Sequence, residues 1–159
     1  MATYAPLFAH VDGWQWRPDM IWFDNLRSMP TASYYVQQMY GLNRGSRVVP
    51  TTLDKRPAAG LDGQDGLFAT VAYDEDAKDY IVKIANTSDS AQDIKLDFKG
   101  YKGKFSKMTV ETLHADEKTE NTLDNPDLVK PEKREISIES TSTPVVEVPA
   151  RTFAIYRIR

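Results

Sequence analysis

From about Gly66 onward, apolar and polar residues alternate with a period of two in runs of strand length separated by turn residues. Gly66 to Tyr73 and Asp79 to Asn86 (DYIVKIAN) predict a hairpin across the acidic turn Asp74-Glu75-Asp76-Ala77-Lys78. Ile94, Leu96 and Phe98 alternate with Lys95, Asp97 and Lys99, the pattern of a half-buried strand with one wet face. Further strands are predicted at Ser106 to His114, Glu135 to Ser140, Thr143 to Val148 and Arg151 to Ile158, and an earlier one at Arg47 to Leu53. Roughly eight short strands with no helical pattern between them argue for a mainly β fold, an antiparallel β-sandwich of jelly-roll type. Ala115 to Lys133 breaks the rhythm, a polar stretch of nineteen residues with two prolines. Structureless loops of that length are uncommon inside compact domains and are often functional or lie against a neighbour.

The chain before Gly45 is patterned differently. Tyr4-Ala5-Pro6-Leu7-Phe8 is a short apolar run that predicts a buried strand end, closed by the turn pair Asp12-Gly13. Thr31, after Pro30, predicts the N-cap of a helix running to about Leu42. On it Tyr35 and Met39, and Val36 and Tyr40, pair at spacing four on one face, and Gly41 and Gly45 can end it. Residues 45–66, with Pro50, Pro57, Gly60 and Gly63, have the composition of a boundary.

Composition sharpens the picture of this first part. Nine of the seventeen aromatic residues lie in the first forty positions, all three tryptophans included. Each large aromatic offers about 150 to 250 Å² to be covered, more than one short strand and one helix supply for each other. A partner surface is therefore expected. Trp14, Trp16, Trp22 and Phe23 are interleaved with Arg17, Asp19, Asp24 and Asn25, placing rings beside fixed polar groups. Sugar sites have that make-up, because sugar faces pack on rings while hydroxyls seek carboxylates and amides; core-edge loops have it too. The candidate substrate-binding residues are accordingly Trp14, Trp16, Asp19, Trp22, Asp24 and Asn25.

Charge and residue usage remove several function classes. The 20 basic and 23 acidic residues leave a formal charge of -3, and the basic ones are scattered, which argues against nucleic acid as a partner. No apolar run approaches the roughly 18 to 20 residues of a membrane span, and the first residues lack the basic region and apolar core of a secretory signal. There is no cysteine, hence no disulfide or thiolate chemistry. His10 and His114 are the only imidazoles, and neither lies in a zinc-ligand or triad spacing, so both are read as structural or surface residues and no metal or cofactor is predicted. Asn86-Thr87-Ser88 fits the N-glycosylation pattern, a short and common one.

Two separated stretches resemble the C-terminal part of α-L-arabinofuranosidases of glycoside hydrolase family 51. One comprises Tyr4-Ala5-Pro6-Leu7-Phe8, Trp16-Arg17-Pro18-Asp19-Met20-Ile21-Trp22-Phe23 and Ser33-Tyr34-Tyr35-Val36-Gln37; the other is Glu120-Asn121-Thr122-Leu123-Asp124-Asn125-Pro126-Asp127-Leu128-Val129-Lys130-Pro131. With the closing Pro149-Ala150-Arg151-Thr152-Phe153, the likeness covers most of the chain. The resemblance implies a catalytic (β/α)8 barrel with a jelly-roll domain beside it, residues 1–44 being the last βα unit of that barrel and 45–159 the C-terminal β-sandwich. It also implies a retaining mechanism with two glutamates about 5 Å apart on the barrel mouth. Here the first glutamate is Glu75, already in the β part, and the later ones have the pattern of solvated strand faces and loops.

The chain is thus expected to lack both catalytic residues. It would support the barrel of a parent that releases terminal α-L-arabinofuranosyl groups from arabinose-containing polysaccharides, a parent whose compartment the sequence leaves open, secretion or the periplasm being options. A free-standing carbohydrate-binding module and a pure interaction domain are the rival readings. Without the barrel, the face of Tyr34, Tyr35, Val36, Met39 and Tyr40 and the Trp-rich loop are expected to fold back on the sandwich, self-associate or lose order, and one sheet edge is expected to stand open.

Overall fold

The computed structural model describes residues 3–60, 64 and 66–159. Three short strands come first, β1 (Phe8–His10), β2 (Ile21–Phe23) and β3 (Ser28–Pro30), followed by α1 (Ala32–Leu42). Then come β4 (Arg47–Val49), the small hairpin of β5 (Thr52–Leu53) and β6 (Arg56–Pro57), β7 (Leu67–Asp74), β8 (Asp79–Asn86) and β9 (Gln92–Lys95). The chain closes with β10 (Phe105–His114), β11 (Glu132–Thr141), β12 (Val145–Val148) and β13 (Thr152–Ile158).

Six of these strands form one antiparallel sheet in the order β11-β10-β13-β8-β7-β4. Its register lines up one apolar row, Val71 opposite Val82, Val82 opposite Tyr156 and Tyr156 opposite Val110. That row faces the two-stranded sheet of β9 and β12, whose Val146 and Val148 enter the same core. The Tyr156 hydroxyl donates to the Glu147 carbonyl at 2.8 Å and so bolts the two layers together. Burial pushes that phenol up to about 12.

The neighbouring rows point to the opposite face, where α1 lies. Met39, fully buried, packs there with Ala72, Ile81, Leu113, Val129 and Ile155. β8 is therefore covered on both sides, which is why Ile81-Val82-Lys83-Ile84 is nearly continuous in apolar character instead of alternating. Within this face Lys83 is buried, its Nζ 4.8 Å from the centre of the Tyr40 ring, and Tyr40 stacks on Phe153 at 5.0 Å. Desolvation, and then the nearby Arg157 charge, lower the Lys83 ammonium below the usual lysine range. The helix end is tied down by polar contacts. Arg157 Nε donates to Asn43 Oδ1 at 3.0 Å, and its two Nη atoms reach Asp74 and Asp79 at 3.1 Å.

Most expected elements are present, with instructive differences. The apolar run at Tyr4 to Phe8 is regular strand only from Phe8, although the Pro6 and Leu7 carbonyls already accept from Met20 and Ile21. The strand expected at Arg47 to Leu53 is broken at Pro50, which has no N–H for a ladder. β9 ends at Lys95, yet Leu96 and Phe98 still pack on the core from outside a strand. The Trp-rich loop contains the β2–β3 hairpin, whose three-residue strands are too short for a period to register. Gly41 lies inside α1, and Asn43 caps it, with both its backbone N–H and its side-chain Nδ2 bonded to the Met39 carbonyl. Gly45 follows at φ +71°, where an added Cβ would lie 2.8 Å from that of Ala72. Gly63 of the expected boundary lies outside the described residues. In the Asn86-Thr87-Ser88 pattern the Asn86 amide is buried and donates to the carbonyls of Ser90, Val148 and Pro149, so its nitrogen is engaged in the fold.

Candidate functional site

β1 and β2 pair in parallel and β2 and β3 antiparallel, making a small three-stranded sheet with two unlike faces. One face buries Ala9, Trp22 and Met29, with Val11 and Leu123 against them. Leu123 belongs to the long polar stretch after β10, which lies against a neighbour and is firmly held there. Asn121, itself buried, donates from Nδ2 to the carbonyls of Pro30 and Val129, both at 2.9 Å, and accepts from the Val129 N–H at 2.7 Å. Three residues beyond Asn121, Asp124 of the loop meets Arg27 at 2.7 Å, and the same guanidinium holds Asp24 of the hairpin at 2.9 Å.

Between hairpin and loop is a cavity of about 620 Å³. Val11, Arg17, Asp19, Trp22, Met29, Thr31 and Ser33 line one side of it, and Glu120, Asn121, Thr122, Leu123 and Val129 the other. The backbone that carries Asp19 is fixed from two directions. Thr31 occupies the N-cap position of α1 without bonding a helix N–H; its hydroxyl lies 3.1 Å from the Asp19 carbonyl and 2.9 Å from that of Met20. Met20 N–H in turn donates to the Pro6 carbonyl.

The Asp19 carboxylate is the unusual group. Asp19 is only 1% exposed, and neither carboxylate oxygen finds a hydrogen-bond partner among the described residues. A buried carboxylate without donors carries a desolvation cost of several kcal/mol. An arrangement of this kind is a cost that the fold carries.

The other sequence-predicted residues are distributed around this point. Trp22 is buried and lines the cavity with Asp19. Trp14 meets Trp22 edge-on at 6.1 Å, and the Arg17 guanidinium lies over both rings at 5.2 and 4.9 Å. Trp14 and Trp16 are about half exposed. Asp24 is engaged within its own turn, accepting from the Leu26 N–H, the Arg27 guanidinium and the Arg27 N–H; these bonds, the Leu26 N–H foremost, hold its carboxyl below the usual range. Asn25 is exposed at the hairpin tip. Asp24 borders a separate, shallower depression of about 450 Å³ on the Phe8 and Phe23 side. The cavity thus unites Asp19 and Trp22, while Trp14 stands beside it and Trp16, Asp24 and Asn25 lie outside its lining.

Sequence reasoning missed Thr31, Ser33, Glu120 and Thr122 as lining residues. For Glu120 and Thr122 the signal was there, in the length of the loop and in the second stretch that carries the resemblance. His10 Nδ1 faces the Asp12 N–H at 3.2 Å, a local contact, and His114 Nδ1 lies 3.1 Å from both Ala150 O and Thr152 Oγ1, tying the end of β10 to the start of β13. Among the described residues no group of three or more His, Asp and Glu gathers in a way that could hold a metal ion, and no helix is long and apolar enough to cross a membrane.

A family model described as the α-L-arabinofuranosidase C-terminal domain matches residues 1–151. The chain belongs to this family. It is 39% identical over 111 residues to an extracellular exo-α-L-arabinofuranosidase of Streptomyces chartreusis, covering 67% of this chain and 13% of that protein. With α-L-arabinofuranosidase 2 of Arabidopsis thaliana it shares 26% identity over 159 residues, 98% of this chain and 23% of the relative. The arabinose-bound structure of the family 51 α-L-arabinofuranosidase MgGH51 superposes with a TM-score of 0.85 at 26% identity, covering 98% of this chain and 23% of that one. The chain therefore corresponds to the C-terminal domain of family 51 glycosidases and spans less than a quarter of the length of these relatives.

Proposed function

We propose that this domain works as the C-terminal part of a retaining α-L-arabinofuranosidase, packed on a catalytic (β/α)8 barrel of the same polypeptide. Residues 1–44 would supply the barrel's last βα unit and residues 45–159 the supporting sandwich. The parent reaction is release of terminal α-L-arabinofuranosyl groups from arabinose-containing polysaccharides, without a cofactor. The domain by itself is inactive, because retention needs two carboxyl groups about 5 Å apart on one barrel mouth, and no glutamate precedes Glu75.

Within the parent, the Trp-rich loop edges the substrate site, since active sites of such barrels are built from the loops after their strands. Asp19 accepts hydrogen bonds from sugar hydroxyls, Trp22 packs against the sugar face with Trp14 and Trp16 near by, and Asp24 and Asn25 stand at the rim. The observation that carries this reading is the buried Asp19 carboxylate with both oxygens unpartnered beside a cavity. Leu7, Phe8 and Trp16, each about half exposed, offer the barrel an apolar docking surface.

The test is a chimera in which this chain replaces the corresponding segment of the Streptomyces chartreusis relative. The chimera should hydrolyse an aryl α-L-arabinofuranoside while the 159 residues alone do not. In the chimera Asp19→Ala should lower kcat/KM about ten- to a hundredfold, the loss expected for hydrogen bonds to a charged group, without lowering the thermal midpoint. Turnover by the isolated chain would refute the division of labour, and an Asp19→Ala chimera of full activity would refute the role of Asp19. If the exposed surface drives self-association instead of docking, the chain's mass in solution will rise with concentration and the chimera will stay inactive.

A further inference from the structure

β10 begins at Phe105 and ends at His114, so the turn before it lies about 30 Å from the long loop after it, which walls the Asp19 cavity. At that far end of the sandwich the fold gathers a row of rings. The Arg47 guanidinium lies over Tyr73 at 5.0 Å, Tyr73 meets Tyr80 at 4.9 Å, and Tyr80 meets Tyr101 at 5.9 Å. Tyr101 stacks on the buried Phe105 at 4.5 Å and 11°, yet keeps 38% of its surface exposed. We propose that Tyr101 and the lysines around it form a saccharide-binding surface separate from the Asp19 cavity, and that its ligand is a polysaccharide carrying uronate carboxylates.

The turn is built to hold the ring in place. Gly100 stands at φ +83°, and the Tyr101 N–H closes the turn onto the Phe98 carbonyl at 3.1 Å. Gly103 makes room for the ring, since an added Cβ there would lie 2.5 Å from the Tyr101 Oη. Lys95, Lys99, Lys102 and Lys104 are all exposed, and among the described residues none of them is paired with a carboxylate. Only Asp97 opposes them in this stretch. The acidic turn between β7 and β8 reaches the same end, but Arg157 holds Asp74 and Asp79, Glu75 lies 3.6 Å from Arg47, and Asp76 is offset by Lys78 in the same turn. The patch is therefore positive in a chain of net charge -3, and the rest of the surface repels a dense polyanion. That favours a polymer with at most one charge per sugar over nucleic acid, which carries one per about 1.7 Å of duplex. Lysines suit carboxylates as point charges, where phosphate recognition favours the arginine fork. A sugar face packs on the exposed ring while the ammonium groups meet the carboxylates. The choice of a saccharide rests on the substrate class proposed for the parent; the surface itself involves neither Asp19 nor its cavity.

The probes are hexagalacturonate, its methyl ester and hexathymidylate, each titrated into the 159-residue chain by calorimetry. Hexagalacturonate should bind, and its uncharged ester should bind about tenfold more weakly at low salt, with the difference shrinking as salt is added. Lys99→Gln, Lys102→Gln and Lys104→Gln together should weaken hexagalacturonate about tenfold at an unchanged melting temperature. Tyr101→Ala should cost about tenfold and Tyr101→Phe, which keeps the ring, much less. Asp19→Ala should leave the affinity as it was. No binding of hexagalacturonate, equal binding of its ester, hexathymidylate bound as tightly, or an affinity that the lysine substitutions do not move would overturn the inference. Loss of binding in Asp19→Ala would also overturn it, by placing the acidic sugar in the cavity. Binding that persists in the chain while the chimera is inactive would support this surface and count against the proposed reaction alone.

Discussion

Asn121 joins the two halves of the molecule through a single buried amide. Its Nδ2 donates across to the Pro30 carbonyl at the end of the aromatic hairpin, and the same group and its Oδ1 close a ring with Val129 of its own loop. Replacing it by alanine removes three hydrogen bonds and leaves the partners, Val129 among them at 2% exposure, without replacements. At about 1 kcal/mol net for each bond, the loss should be about 3 kcal/mol. For a chain of this size 1 kcal/mol shifts the melting temperature by about 2 to 4 °C, so Asn121→Ala should melt about 6 to 12 °C lower. Urea unfolding followed by tryptophan fluorescence and by far-UV circular dichroism measures it, and the fluorescence change should come first, because the loop and the tryptophan hairpin part before the sandwich opens. Asn121→Asp is the sharper variant. It keeps the size and the acceptor but sets a carboxylate against two carbonyls, so at pH 7 it should be at least as damaging as alanine. A loss below about 0.5 kcal/mol for either variant, in the range of ordinary surface substitutions, would refute the account of the loop as a clamp.

Two further predictions concern ionisation in the sandwich. Tyr156 has its folded pKa raised to about 12, so the folded state keeps a proton that the unfolded chain gives up near pH 10; stability should fall by about 2 to 3 kcal/mol between those limits, and Tyr156→Phe should remove that slope while losing the bond to Glu147. Lys83 is shifted the other way. Its folded pKa is lowered, so the cost of burying the charge is present below that pKa and is relieved as pH rises through it towards the unfolded value; Lys83→Met should abolish that rise. Both are read from urea midpoints measured across alkaline pH.

The β domain was legible because its physical signal is local. β8 and its hairpin partner β7 follow from period-two patterning bounded by an acidic turn, and the structure pairs them from Leu67 with Asn86 to Asp74 with Asp79. α1 was legible from its cap position and from the spacing of Tyr35, Val36, Met39 and Tyr40. The β2–β3 hairpin was not, because three-residue strands carry no period, and neither was the early end of β9, where Leu96 and Phe98 pack half-buried on the core without belonging to a strand.

The sequence by itself determined that this is a mainly antiparallel β protein with an aromatic-rich leading segment, no glutamate before Glu75 and no cysteine, and its motifs pointed to the arabinofuranosidase family. Those properties live in residue identity and short spacing. What the tertiary structure alone decided is which groups meet: that Asp19 loses water without gaining a donor, that Trp22 shares its cavity while Trp16 does not, and that the opposite wall is supplied by Glu120 and Asn121 from about a hundred residues further on. Burial and long-range juxtaposition depend on how the whole chain closes, and no local pattern encodes them.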